Sequence, residues 1–203
     1  MNECMPYQCR EKFWSIFNHK SSGSKLDVLE FGSGGGHLAK RLSSEGHNVT
    51  LIDREDYLQY PELRKNLVLY NLELPGLNKK VKKKFDVIIG IEVVEHVYNL
   101  QNLLAECKQM LKPSGVVIFS TPNSHNLKNR LKYLFSANAI TVSPVNDHRI
   151  VLTPNIVHKT ARECKLQSKI HYPLSIIPFF KIKIRDFWMF SDFMMLTFRH
   201  SAE

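Results

Sequence analysis

The residues whose types and spacing could do chemistry gather in the first half of the chain. Glu30-Phe31-Gly32-Ser33-Gly34-Gly35-Gly36 places a carboxylate two positions ahead of a turn in which four of five residues are glycine. Glycine adopts positive φ without steric cost and lets backbone approach a ligand closely. Asp53 closes an apolar run, Val49 to Ile52, and an ionised carboxylate accepts hydrogen bonds on two oxygens, as the two hydroxyls of a ribose require. Three nucleotide-binding readings compete for the glycine turn. A phosphate loop needs Gly-Lys-Ser/Thr at its end, and none follows here. A dinucleotide fingerprint begun at Gly32 meets His37 where its third glycine should stand; begun at Gly34 it runs through Gly36 to Ala39, a weak fit. Glu30 would repel a pyrophosphate in a partly desolvated cleft and attract a cation. An adenosine compound carrying positive charge suits both Glu30 and Asp53.

The elements that must position these residues alternate between strand and helix. Leu26 to Phe31 reads as a strand, His37 to Ser44 as a helix with Leu38 and Leu42 inward and Gly46 as its stop, and Val49 to Ile52 as a second strand. Glu55 to Arg64 is polar and expected to be helical; Leu67 to Tyr70 is a weak strand, and Lys79 to Lys84 a solvated loop. Asp86 to Ile91 is nearly all apolar, the pattern of a parallel strand covered on both faces. Leu100, Leu103, Leu104, Cys107 and Leu111 recur at helical spacing, Pro113-Ser114-Gly115 ends that helix, and Val116 to Ser120 is the next strand. Consecutive parallel strands need right-handed helical crossovers. The fold class is therefore α/β, an open, Rossmann-like doubly wound sheet whose ligands bind outside the carboxyl ends of the strands.

The flanking segments differ from this alternation. Residues 11–18 form a short amphipathic helix with Phe13, Trp14 and Phe17 on one face, and 21–24 a linker. Leu127 to Phe135 suggests a basic amphipathic helix bearing Lys128, Arg130 and Lys132, expected to pack on the domain edge. Thr153 and Pro154 look like an N-cap and first helical position. Residues 168–172 and 193–199 read as two last strands, and Phe179, Phe180, Phe187, Trp188, Phe190 and Phe193 as core aromatics. A length of 203 residues suits one domain spanning 1–203, with 1–24 as an N-terminal cap and 123–150 as a lid or substrate wall. With 43% hydrophobic and 23% charged residues the chain is not disordered. No stretch approaches the ~18 apolar residues of a membrane helix, and no apolar segment follows a basic start. Four cysteines without a C-x-x-C pair read as reduced thiols, so a cytoplasmic location is expected. A net charge of +9 speaks to non-specific attraction rather than function.

Taken jointly, these stretches resemble the class I S-adenosylmethionine-dependent methyltransferases. The residues that carry the likeness are Val28 to Gly36, Asp53, Phe85 to Val97 (Phe-Asp-Val-Ile-Ile-Gly-Ile-Glu-Val-Val-Glu-His-Val), Leu111 to Ile118 and Thr121-Pro122-Asn123. The sequence is most similar to the small-molecule branch, such as ubiquinone-biosynthesis-type O-methyltransferases, a likeness extended by His148-Arg149 shortly before Thr153-Pro154. The resemblance implies a seven-stranded, mostly parallel sheet with an antiparallel last strand, and S-adenosylmethionine as cofactor. It further implies that Gly32, Gly34 and Gly36 hold the methionine part, with Glu30 near its ammonium group and Asp53 on the ribose. Asn71 and Leu72 would meet the adenine. Family members often have Asp at the position of Asn71, so an uncharged acceptor is expected to bind somewhat more weakly. Glu92 is expected near the cofactor loop.

Transfer of a methyl group from a sulfonium is an in-line displacement in which positioning supplies much of the acceleration. A hydroxyl acceptor must lose a proton, and histidine, titrating at about 6.5 when unperturbed, suits the task. His96 and His148 are the candidate bases, with Glu95 a candidate orienting group; no metal ligands are expected. The expected partner is a small-molecule substrate, with O-methylation the expected chemistry, no nucleic acid and no assigned oligomer. An RNA methyltransferase, a methyltransferase-like binding protein without turnover and, last, a nicotinamide-type oxidoreductase are the alternatives.

Overall fold

The computed structural model describes residues 5–136, 147–173, 175–177, 182–184 and 186–201. In chain order the elements are α1 (Tyr7–Ser21), β1 (Asp27–Phe31), α2 (His37–Ser44), β2 (Asn48–Asp53), a 3-10 turn (Pro61–Asn66), β3 (Leu67–Leu69), α3 (Leu77–Val81) and β4 (Phe85–Ile91). A second 3-10 turn (Val94–His96), α4 (Leu100–Met110), β5 (Leu111–Pro122), α5 (Leu127–Ser136), α6 (Pro154–Glu163), β6 (Leu166–His171), β7 (Ser175–Ile177), β8 (Ile182–Ile184) and β9 (Phe193–His200) follow. The main sheet has seven strands in the order β3-β2-β1-β4-β5-β9-β6. Its ladders are parallel except those of β9, which runs antiparallel to both β5 and β6. The expected Rossmann-like sheet with an antiparallel final strand is thus what forms; β7 and β8 make a separate hairpin. The order reverses between β1 and β4, so the ligand-binding edge lies at the carboxyl ends of those strands.

Strand alternation divides the core in two. Leu29 and Phe31 of β1 enter a cluster with Leu104 of α4 and Val157 of α6, whereas Val28 joins Phe13 and Phe17 of α1 and Leu42 of α2 on the opposite face. Glu30, of the same parity as Val28, therefore points toward the α2 side. Helix ends follow local chemistry. The Thr153 hydroxyl accepts from the Ile156 N–H at 3.1 Å with Pro154 at the first position, as expected, and Asn99 caps α4 through the Asn102 N–H at 2.9 Å. The start of α3 is capped from outside, because Glu106 accepts from the N–H groups of Gly76 (2.7 Å) and Asn78 (2.8 Å).

Several expectations need correction. Glu55 to Arg64 is not a helix: Asp56 accepts from the Leu58 N–H at 3.0 Å, an Asx turn competing with helical bonding, and Pro61 opens only a 3-10 turn. Lys79 and Lys80 belong to α3 rather than a loop, and Lys83 pairs with Asp27 at 2.8 Å. α1 reaches from Tyr7 to Ser21, well beyond 11–18. Pro113-Ser114-Gly115 does not precede β5 but bulges within it, since Leu111 pairs with Phe85 and Val116 with Val87. α5 forms as expected but buries no residue, leaving Leu134 at 74% and Phe135 at 84% exposed. Of the aromatics, Phe179 and Phe180 lie outside the described residues, as do 137–146 of the expected lid; Phe187 is exposed, and Arg130 lies 4.6 Å over the Trp188 ring. Cys9, Cys107 and Cys164 are buried free thiols, and Cys4 lies outside the described residues. Among the described residues no helix is long and apolar enough to cross a membrane.

Candidate cofactor and active site

The glycine turn is built for close approach. Gly32 sits at φ +63, its N–H donates to the Ile52 carbonyl at 2.9 Å, and a Cβ there would lie 2.6 Å from Val93 Cγ2. Gly36, at φ +80, starts α2, and a Cβ on it would meet Leu58 Cδ2 at 2.7 Å. Only glycine satisfies both conformation and space at these positions. Asp53 ties the turn to β2: Oδ2 accepts from the Gly34 N–H at 2.9 Å and Oδ1 from the Arg54 N–H at 2.7 Å. The loop after β2 closes over the turn through the Gln59 N–H, 3.1 Å from the Gly35 carbonyl.

At the carboxyl ends of β1, β2 and β4, and just beyond β3, lies a cavity of about 370 Å³. Gly32, Asp53, Asn71, Leu72, Glu92 and His96 all line it. Five other sequence-predicted residues do not. Gly34 and Gly36 shape the turn from behind, and Glu95 and His148 stand next to the cavity rather than on its wall. Glu30 is the notable displacement: it is buried beneath the turn, where the Ala39 N–H contacts it, and Oε2 has no hydrogen-bond partner. Burial, with the Asp53 charge nearby, pushes its carboxyl up to about 8. Alternation along β1 forces this placement, which motif spacing alone does not reveal.

The segment 147–150 is brought to the turn after β4 by backbone bonding. The N–H groups of Arg149 (2.7 Å) and Ile150 (3.3 Å) donate to the Glu95 carbonyl. His96 and His148 consequently meet edge to face, ring centres 4.9 Å apart, and His96 Nδ1 lies 3.0 Å from Asp147 Oδ1. Glu92 adopts φ +53, its N–H donates to Ser120 Oγ at 3.0 Å, and that hydroxyl donates to Glu92 Oε1 at 2.5 Å. Burial raises the Glu92 carboxyl above its usual range, opposed by Ser120 and His148. Glu95 is pushed up to about 8 by burial and by Glu92. Ligand atoms of Glu95, His96 and His148 fall within 4.8 Å of one another, a carboxylate and two imidazoles able to hold a divalent cation. Sequence reading assigned no metal ligands and missed this grouping.

Other wall residues also escaped the sequence. Tyr57, Tyr70 and Tyr98 line the cavity, and Arg149 donates to Tyr98 Oη at 2.7 Å while lying 5.0 Å over its ring. Ser120, buried behind the wall where it holds Glu92, was legible in principle as the polar end of the apolar run Val116 to Phe119.

Comparison with known proteins agrees with this geometry. A family model described as a methyltransferase domain matches residues 1–150. The chain is 36% identical over 125 residues to a ubiquinone biosynthesis O-methyltransferase of Rickettsia typhi, covering 58% of this chain and 48% of that protein. It is 31% identical over 162 residues to the protein of that name in Rickettsia canadensis, covering 76% and 68%. The chain thus spans about half to two thirds of the length of these relatives. A crystal structure of an S-adenosylmethionine-dependent methyltransferase from Archaeoglobus fulgidus superposes with TM-score 0.65 at 16% identity, covering 93% of each chain. The magnesium protoporphyrin IX methyltransferase of Synechocystis superposes at 0.62 and 14%, over 96% of this chain and 83% of that one. Fold, glycine turn and matched sequence agree, and the chain belongs to the methyltransferase domain family, in its class I S-adenosylmethionine-dependent group.

Proposed function

We propose that this protein transfers a methyl group from S-adenosylmethionine to a hydroxyl of a small molecule. One observation carries the reading: residues from separate strand ends, Gly32, Asp53 and Asn71, share a single cavity with His96. The residues present fit the cofactor. Each Asp53 oxygen accepts one backbone N–H and keeps a lone pair for a ribose hydroxyl. Glu30 Oε2, which has no hydrogen-bond partner, lies behind the turn where positive charge would stabilise it. Asn71 Oδ1 accepts from the Glu73 N–H at 3.1 Å, which fixes the amide at the adenine end. The relatives being ubiquinone biosynthesis O-methyltransferases favours a hydroxyl acceptor.

When bound, S-adenosylmethionine supplies a methyl group on a positively charged sulfur. Asp53 orients the ribose and sets a negative potential, joined by Glu30 once the bound cation has driven off its proton, that favours the cationic reactant over its less charged product. His96 takes the proton from the acceptor hydroxyl on Nε2, while the Asp147 carboxylate 3.0 Å from Nδ1 stabilises the imidazolium formed. His148 shares that role across the 4.9 Å ring contact. We read the chain as one catalytic domain in which 1–24 forms a cap and 123–150 a substrate wall. An apolar groove of about 520 Å³ beside α5, walled by Leu131, Leu134 and Val151, would take the acceptor's apolar portion.

Calorimetry with S-adenosylmethionine, then turnover on a panel of hydroxylated aromatics, tests the reading. Asp53→Ala is expected to weaken cofactor binding about tenfold or more, because it removes hydrogen bonds to a charged group. Absence of binding at millimolar ligand refutes the proposal. Assays with and without chelator separate proton transfer by free imidazole from a cation held by the Glu95–His96–His148 cluster.

A further inference from the structure

A second cavity shares no residue with the cofactor cavity. It is a trough of about 970 Å³ between α1 and the β6 edge of the sheet. On α1, Lys12, Ser15, Ile16 and His19 recur at i, i+3, i+4 and i+7 and so form one wall. The floor comes from β6 and β9, whose register pairs Lys169 with Thr197 and Gln167 with Arg199. Leu166 and Ile170, of the opposite parity, turn to the face covered by α6.

The charge in this trough is one-sided. Lys12, Lys169 and Arg199 line it, and its one carboxylate among the described residues, Asp186, is engaged by Lys12 at 2.9 Å. Lys169 and Arg199 have no side-chain partner among the described residues. His171 stands two residues beyond Lys169 on the same face of β6, with Nε2 3.2 Å from Thr197 Oγ1. Burial and the charges of Lys12, Lys169 and Arg199, outweighing Asp186, hold its imidazole down at about 4. Lys169 and Arg199, on neighbouring strands of the trough floor, present two positive charges that match a compact dianion, and arginine adds a planar two-point donor.

We propose that this trough binds the phosphate group of a small phosphorylated molecule, with Lys169 and Arg199 supplying the charge and His171 lying beside them. A long polyanion fits less well. Three cations make a short track, and Asp186 with Tyr172 closes one end.

The test uses inorganic pyrophosphate as the probe, at low salt, followed by calorimetry and by NMR of the histidine ring protons. Saturable one-site binding is expected, weakened at least about tenfold in Lys169→Ala/Arg199→Ala. The control Lys65→Ala/Lys79→Ala, at the β3 side of the sheet, is expected to bind as the parent does. The His171 titration is expected to move up from about 4 when pyrophosphate binds, because an anion offsets the surrounding cations. No saturable binding, an equal loss in the control, or an unmoved His171 titration overturns the proposal. So does tighter, length-dependent binding of single-stranded RNA, which would assign the face to a polyanion. None of these readouts depends on methyl transfer, so the cofactor reading stands or falls separately.

Discussion

Glu30 offers the sharpest check on how the cofactor turn works. Its carboxyl is pushed up to about 8 from an ordinary 4.5 by burial and by Asp53. At pH 7 it is therefore roughly nine-tenths protonated in the folded protein and ionised in the unfolded chain. Stability from this group is fully present below about 4.5 and is lost as pH rises toward 8. The loss at pH 7 is on the order of 3 kcal/mol. A cationic ligand near the turn stabilises the ionised form and expels that proton. Glu30→Gln keeps an acceptor for the Ala39 N–H and removes the titration. The wild type should release close to one proton on binding S-adenosylmethionine at pH 7 and bind more tightly as pH rises to 8. The variant should release less, show flatter affinity, and gain stability at pH 7 but not at pH 4. Calorimetry in two buffers of different ionisation enthalpy counts the protons. Any titration of the ligand itself is common to both proteins and cancels in the comparison. Equal proton release by wild type and variant would refute the linkage between Glu30 and cofactor charge.

Three further outcomes are expected. Gly32→Ala should destabilise by about 1–3 kcal/mol in urea unfolding, since it strains a positive φ and places Cβ 2.6 Å from Val93 Cγ2, and Val93→Ala should recover part of the loss. His96→Ala should lower kcat by about 10²-fold or more with cofactor affinity unchanged, and the acidic limb of its pH profile should alter; an unchanged profile would exclude His96 as the base. Glu106→Ala leaves two N–H groups at the start of α3 without their acceptor and should cost about 1–3 kcal/mol, read as faster amide exchange at Gly76 and Asn78.

Much of the fold was legible because its signals are local. The apolar runs of β1, β4 and β5, the glycine stop of α2 and the Thr153-Pro154 start of α6 each depend on residues within a few positions. Where local chemistry conflicted, reading failed: the polar stretch after β2 looked helical, but an aspartate turn and Pro61 prevail. Pro113 looked like a boundary, yet a long strand accommodates it as a bulge because β4 supplies pairing on both sides.

The candidate site divides in the same way. Sequence by itself determined the glycine turn, the acid ending β2 and the family to which they belong, since each is a short segment whose spacing limits the ligand. Only the tertiary structure decided that Glu30 lies beneath the turn rather than in the cavity. It also placed His148 against His96, and gathered Lys12, Lys169 and Arg199 around one trough. Those juxtapositions join residues up to 187 positions apart, and nothing in local propensity encodes them. They arise when strands pair and helices cover the sheet, burying some charges and bringing others together.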